Sequence, residues 1–259
     1  GPHGLRLVRP FLDVPKMRLM AEMVKRGLTW ADDPSNYNTD YKRVRLRTMA
    51  EHLSAEGLDT ERLSGTAARL RRAAEAIDVW VGRFWAENVV EHPAGPLKLD
   101  FHTYEDLPEE VRLRLLSRLI MRAAGRAMPL RLSQLEHVAG LIAGKEAQST
   151  IAGAVVFRRA DHLFVWRESG RKPPPSWELP LNSSAIWDGR FLVEANHGRP
   201  GLAGSETVLG PLISAPVRSG KTDWPHDWPK AGFSCAPAIW CGDDLVFVPG
   251  IRPKSGEDE

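Results

Sequence analysis

The 259-residue chain predicts an α+β protein, and three observations carry that expectation. A helical period dominates residues 60–126, and β-branched and aromatic runs replace it beyond residue 149. Pro- and Gly-rich connectors, RKPPPSW and DWPHDWPKAG among them, separate the later runs. The expected organisation is an opening segment at 1–50, a helical domain at 51–145 and a β-rich domain at 146–259.

The elements follow in order. Asp13 can cap a first helix with Pro15 in its first turn. Leu19, Met20, Met23 and Val24 recur at helical spacing, Lys25 and Arg26 fall in the last turn, and Gly27 closes it. A second helix runs to about residue 53, before Gly57. Leu63, Leu70, Ile77 and Phe84 repeat every seven residues, with Ala67, Ala74 and Val81 between them. That pattern is an a/d seam on one long helix over 60–89 that packs on others. The next helix spans 106–126, with Asp106 as cap and Pro108, Glu109 and Glu110 in the first turn. Ser133-x-x-Glu136 reads as a capping box for a short helix ending at Gly144. STIAGAVVF and DHLFVWRE form a hairpin, SAIWDGRFLVEA carries the Asp188-Gly189 type I′ signal, and AIWCGDDLVFVP repeats that design.

Composition narrows the function classes. The net charge of +2 hides an asymmetry: residues 1–50 carry ten Lys/Arg against five Asp/Glu, and residues 200–259 carry five against eight. A basic front points to an anionic partner there. Two cysteines, Cys235 and Cys241, rule out a four-cysteine zinc site and read as reduced thiols. No apolar run approaches the roughly 18 residues of a membrane span, and no signal-peptide pattern is present, so a cytoplasmic protein without membrane partners is expected. The chain opens GPHG without an initiator Met, which reads as processing, a tag remnant or a piece of a longer protein.

Few motifs carry chemistry. Ser219-Gly220-Lys221-Thr222 lacks the upstream glycine and the following helix of a phosphate-binding loop, because Pro216 and Trp224-Pro225 interrupt it. Eight histidines show neither an H-x3-H pair nor HExxH, and no serine sits in a G-x-S-x-G elbow. Arg114, Arg118, Arg122 and Arg126 stand four apart, a cationic stripe roughly 18 Å long on one helix face. Such stripes meet nucleic-acid phosphates; the alternative is a solvated charged face beside Glu109 and Glu110. Trp166, Trp177, Trp187, Trp224, Trp228 and Trp240 fall in the β-rich part, where they either fill a core or stack on unpaired bases.

The stretch WADDPSNYNTDYKRVRLR (30–47) joins a turn to a cationic segment. Pro34 presets φ, and Asp33, Ser35 and Asn36 can bond nearby backbone amides. Lys42, Arg43, Arg45 and Arg47 then require water or an anion. With RPFLD (9–13) and Gly27-Leu28-x-Trp30, this stretch resembles the closing segment of the catalytic domain of tRNA(Ile)-lysidine synthetases. That family's pattern runs RPLL, a helix, W-x-(E/D)-D-P-S-N, then F/Y-x-R-N-x-x-R. Arg9, Pro10, Asp33, Ser35, Asn36, Arg43 and Arg47 match it, and Val44 stands where the pattern carries Asn. A weaker resemblance continues through 130–168.

The resemblance implies a ligase that uses ATP and Mg to activate the wobble cytidine of tRNA(Ile) at C2. Lysine then displaces AMP to give lysidine. Residues 1–50 are then the C-terminal remnant of an α/β nucleotide-binding catalytic domain, and 51–145 a tRNA-binding domain. Arg9, Asp33, Asn36, Arg43, Arg45 and Arg47 are implied to border the active site or contact tRNA, with no catalytic residue or metal ligand assigned. The family's S-G-G-x-D-S pyrophosphate loop is not in the sequence. The expectation is therefore an N-terminally truncated piece that binds tRNA, binds no cofactor alone and is inactive alone. A stand-alone RNA-binding or scaffold module is the alternative.

Overall fold

A computed structural model describes residues 8–11, 14–31, 33–126, 128–170, 173–178, 183–194, 207–212, 225–241 and 244–251; at 47, 48, 51, 207, 241 and 244 it describes the backbone alone. The protein is α+β and divides into two compact units, residues 1–75 and 76–259.

In the first unit, helix α1 (Lys16–Lys25) starts after Pro15. It closes through the Gly27 turn, where Leu28 N–H donates to the Met23 carbonyl at 2.9 Å and Gly27 N–H to that of Val24 at 3.0 Å. Asp13, the expected cap, lies outside the described residues. A 3₁₀ turn (Pro34–Asn36) leads to α2 (Lys42–Thr48) and α3 (Ala50–Ala55), so the expected second helix is two short ones separated at Met49. Among the described side chains of this unit, Val44 alone is buried.

Helix α4 (Thr60–Asn88) is capped by Asp59, whose Oδ1 accepts the Arg62 N–H at 2.7 Å. The expected seam is only half used. Val81 and Phe84 are buried and Ile77 packs against them, whereas Leu63 and Leu70 stay 49% and 67% exposed. Periodicity decides which side chains share a helix face; a covering partner must come from elsewhere.

In the second unit, β1 (Val90–Glu91) and β2 (Leu97–Asp100) precede three helices, α5 (Phe101–Glu105), α6 (Glu109–Ala124) and α7 (Leu132–Ile142). A meander follows, β3 (Glu146–Ile151), β4 (Ala154–Arg159) and β5 (His162–Arg167). These strands form an antiparallel sheet of order β1-β2-β5-β4-β3. Alternation along β4 and β5 gives it two apolar faces. Ala154, Val156, Leu163 and Val165 meet Leu115, Leu116, Leu119 and Ile120 of α6 and Val138 and Ile142 of α7 in one core. Val155, Phe164 and Trp166 point the other way, into a second core with Trp228, Phe233, Ala238 and Trp240. Each fully buried leucine or isoleucine contributes about 1.5–3 kcal/mol from burial. Residue 145, where the sequence suggests a boundary, lies between α7 and β3, which pack against each other.

The second sheet follows the order β11-β10-β9-β6, from β6 (Trp177–Glu178), β9 (Thr207–Pro211), β10 (Pro237–Cys241) and β11 (Asp244–Phe247). Hairpin β7 (Ser184–Trp187) and β8 (Phe191–Glu194) forms a third.

Local signals shifted in several places. Asp106 closes α5 rather than opening α6, and Asp100 caps α5 by accepting from the N–H and hydroxyl of Thr103, both at 2.8 Å. Helix α7 starts two residues early: Arg131 is its N-cap, the Gln134 side chain accepts the Arg131 N–H at 3.2 Å, and Ser133 lies inside the helix. STIAGAVVF itself folds over at Ala152-Gly153, both with positive φ, so the expected hairpin is a three-stranded meander. Asp188 and Gly189 take the positive φ their type predicts, but Arg190 joins them in a three-residue loop, Trp187 pairing with Phe191. Gly242 and Asp243 of the last expected turn, and the 219–222 loop, lie outside the described residues.

Candidate nucleic-acid interface

Two cationic sites take shape, one in each unit. In the first, Asp33 Oδ1 accepts the Ser35 N–H at 2.8 Å and caps the 3₁₀ turn. Bonds from the Ser35 backbone and hydroxyl, then the Arg43 charge, hold the Asp33 carboxyl below its ordinary value. Arg43 Nη2 donates to Ser35 Oγ at 3.3 Å, and its guanidinium lies 5.3 Å from the centre of the Tyr41 ring. Arg45 is committed to the chain: its Nη1 donates to the Thr39 and Asp40 carbonyls at 2.8 and 2.7 Å. The cationic segment is thus a helix whose arginines tie the preceding turn. Asn36 is half-buried and donates its N–H to the Asp33 carbonyl at 2.9 Å, so turn and α2 form one cluster. Val44, in place of the family pattern's Asn, is the buried anchor of α2. Arg9 is exposed and no described contact brings it to this cluster; the Arg47 side chain lies outside the described residues.

The second site lies on α6, and its four arginines are not equivalent. Arg114 bonds Glu110 at 2.7 Å and Asp78 of α4 at 2.8 Å, and these carboxylates raise its pKa further. Arg122 pairs with Glu91 at 3.0 Å. The other Glu91 oxygen accepts the Trp85 indole N–H at 3.0 Å. Arg118 stacks on Trp85, with 4.8 Å from guanidinium carbon to ring centre. Arg126 donates to the Ala152 carbonyl at 3.2 Å. Arg118, Arg122 and Arg126 line an open groove of about 420 Å³ with Trp85, Glu91 and Met121.

Its floor is backbone. Gly125 ends α6 with φ +65° and lies against Gly189 of the β7–β8 loop. A Cβ on Gly125 would stand 2.5 Å from the Asp188 carbonyl oxygen, and one on Gly189 would stand 2.9 Å from that of Gly125. The loop is fixed from behind by Arg190, which donates to Asp188 at 2.8 Å and to the Cys235 carbonyl at 2.7 Å. Burial pushes the Arg190 pKa down, with Asp188 opposing. Burial also pushes the Cys235 thiol up to about 11, an inert structural cysteine.

Sequence reasoning found the stripe but not Trp85 or Glu91, which come from α4 and β1. Attention to tryptophan in the β-rich part pointed elsewhere: Trp166, Trp187, Trp228 and Trp240 are buried there, Trp177 is half-buried, and Trp224 lies outside the described residues. Among the described residues, no helix is long and apolar enough to cross a membrane, and no group of three His, Cys, Asp or Glu converges to hold a metal ion.

Comparison with known proteins finds first that residues 2–53, which include the Asp33 turn and α2, match the PP-loop domain family. The chain is similar to the tRNA(Ile)-lysidine synthase of Ruegeria pomeroyi, 28% identical over 252 residues, covering 95% of this chain and 56% of that protein. It is similar to those of Methylobacterium nodulans, 37% identical over 179 residues (65% and 52% covered), and Wolbachia pipientis, 28% over 244 residues (92% and 53%). Over much of its length the chain is thus similar to tRNA(Ile)-lysidine synthases from several bacteria, a likeness that supports that family. It spans about half the length of the curated relatives it matches.

Proposed function

We propose that this chain is a portion of an ATP-dependent ligase that converts the wobble cytidine of tRNA(Ile) to lysidine. Residues 1–50 belong to the catalytic domain, and the remainder binds and positions the tRNA. In the full-length enzyme, ATP transfers AMP to the C2 oxygen of cytidine and releases pyrophosphate; a lysine amine then forms the C–N bond at C2 as AMP leaves with that oxygen. No S-G-G-x-D-S run occurs in these residues and no described cluster fits Mg, so no step at ATP is assigned to residues of this chain.

The observation that carries the reading is the Asp33-Ser35-Arg43 cluster. Asp33 and Ser35 of the family's D-P-S-N pattern and Arg43, the first arginine of its R-x-x-x-R pattern, are joined by hydrogen bonds at 2.8 and 3.3 Å, inside the stretch that matches the PP-loop family. In this arrangement Asp33 holds the turn, the turn orients Arg43, and Arg45 fixes the start of α2. The exposed edge left to Arg43 and Lys42 suits a nucleotide phosphate at the border of an active site.

The test is mass spectrometry of tRNA(Ile) incubated with full-length protein, ATP and lysine. A cytidine-to-lysidine mass increase that needs both small substrates is expected. An Arg43→Glu variant should lose most turnover while melting at the wild-type temperature. Absence of the product with the wild-type protein overturns the reading.

A further inference from the structure

The groove on α6 is built by its neighbours and left unfilled by them. Glu91 holds two of its walls at once, Arg122 by one oxygen and the Trp85 indole by the other. Trp85 in turn supports Arg118 by stacking, and among the described residues Arg118 forms no ion pair. Among the described residues, Arg126 is tethered only to a neutral carbonyl, that of Ala152. Three guanidinium groups therefore face one carboxylate, and the floor between Gly125 and Gly189 carries no side chain. A positively charged trough with an oriented aromatic wall and a bare floor attracts an anion that can approach closely.

We infer that this groove grips the phosphodiester backbone of RNA, with Arg118 and Arg126 as the contacting residues. Arg122 positions the wall through Glu91, and Arg114 is an intramolecular strut. The inference rests on the tRNA reading above and adds the site and the division of labour among the four arginines. Arg118 and Arg126 stand eight residues apart on one face, about 12 Å along the helix axis. That separation suits two phosphates of a strand running along the groove better than one small anion. The planar guanidinium fork engages phosphate oxygens in pairs, and stacking on Trp85 limits the rotamers that Arg118 gives up on binding.

The experiment measures the affinity of the full-length protein for tRNA(Ile) across a salt series, comparing wild type, Arg118→Gln/Arg126→Gln, Arg114→Gln and Arg118→Lys. Removing one arginine–phosphate interaction should reduce the slope of log K against log salt by roughly 0.7–0.9. The double variant should therefore show a slope shallower by about 1.4–1.8, with at least about tenfold weaker binding at low salt. Arg114→Gln should keep the wild-type slope, and Arg118→Lys should keep most of it. Thermal melts of all four establish that they are folded.

A wild type that binds tRNA with a salt-dependent slope, paired with an unchanged double variant, overturns the groove and leaves the tRNA reading standing. A wild type that shows no tRNA binding at low salt overturns both. Equilibrium dialysis with ATP and with inorganic phosphate separates the sources of phosphate. Uptake of either that the double variant abolishes, with tRNA slopes unchanged, assigns the groove to a free anion and overturns the RNA contact.

Discussion

Gly125→Ala is the sharpest test of how the α6 groove is closed at its floor. Gly125 sits at φ +65° and ψ +32°, a left-handed conformation that costs an L-residue about 1–2 kcal/mol. Its new Cβ would lie 2.5 Å from the Asp188 carbonyl oxygen and 2.9 Å from Arg190 Cγ. Neither neighbour yields cheaply. Asp188 is held by Arg167 at 3.3 Å and Arg190 at 2.8 Å, and the Arg190 side chain is only 3% exposed. Forcing them apart resembles overpacking a core, about 1–3 kcal/mol. The sum is about 2–5 kcal/mol, and at about 2–4 °C per kcal/mol for a unit of this size the melting temperature falls by roughly 4–20 °C. Gly140→Ala is the matched control: it lies within α7, nothing stands within 4 Å of its added Cβ, and helix propensity should stabilise it by up to about 1 kcal/mol. Calorimetric melts of both variants decide the matter. Gly125→Ala melting at or above wild type would refute the close backbone contact.

Two further outcomes follow from buried and capping groups. Arg158 is buried, lies 3.4 Å from the centre of the Phe101 ring and donates to the Ile142, Ala143 and Ala160 carbonyls, so it satisfies the C-terminal end of α7. Arg158→Met keeps the stem but orphans these acceptors and should cost about 2–4 kcal/mol in urea unfolding. The Asp100 carboxyl is lowered below 3.8, first by the Thr103 N–H and then by its hydroxyl. A lowered folded-state pKa contributes stability that is full above the ordinary value and lost as pH falls through the lowered one. Asp100→Ala should thus cost about 1 kcal/mol near neutral pH, with the gap from wild type closing only below about pH 4 in acid melts.

Much of the fold was legible because short-range chemistry decides it. The alternation in β4 and β5, the positive-φ pair Asp188-Gly189 and the turn at Asp33-Pro34-Ser35 are set by the residues themselves. The failures lie where a distant partner decides. Leu63 and Leu70 share the seam with Val81 and Phe84, yet only the last two meet the core containing α6. The arginine stripe shows the same division at the candidate site. Four-residue spacing puts Arg114, Arg118, Arg122 and Arg126 on one face, but their charges are apportioned by Asp78, Trp85, Glu91 and Ala152, which the stripe itself does not specify. Of those four partners, two are carboxylates. The arginines they meet, Arg114 and Arg122, become scaffolding, and the two left to an aromatic face and a neutral carbonyl keep a charge available to a ligand. The cationic segment at 42–47 divides likewise, Arg45 bonding the chain's own carbonyls while Arg43 stays at the exposed edge of the turn. In both units some of the described arginines are engaged by the fold itself, and which cations stay available is a property of the folded contacts.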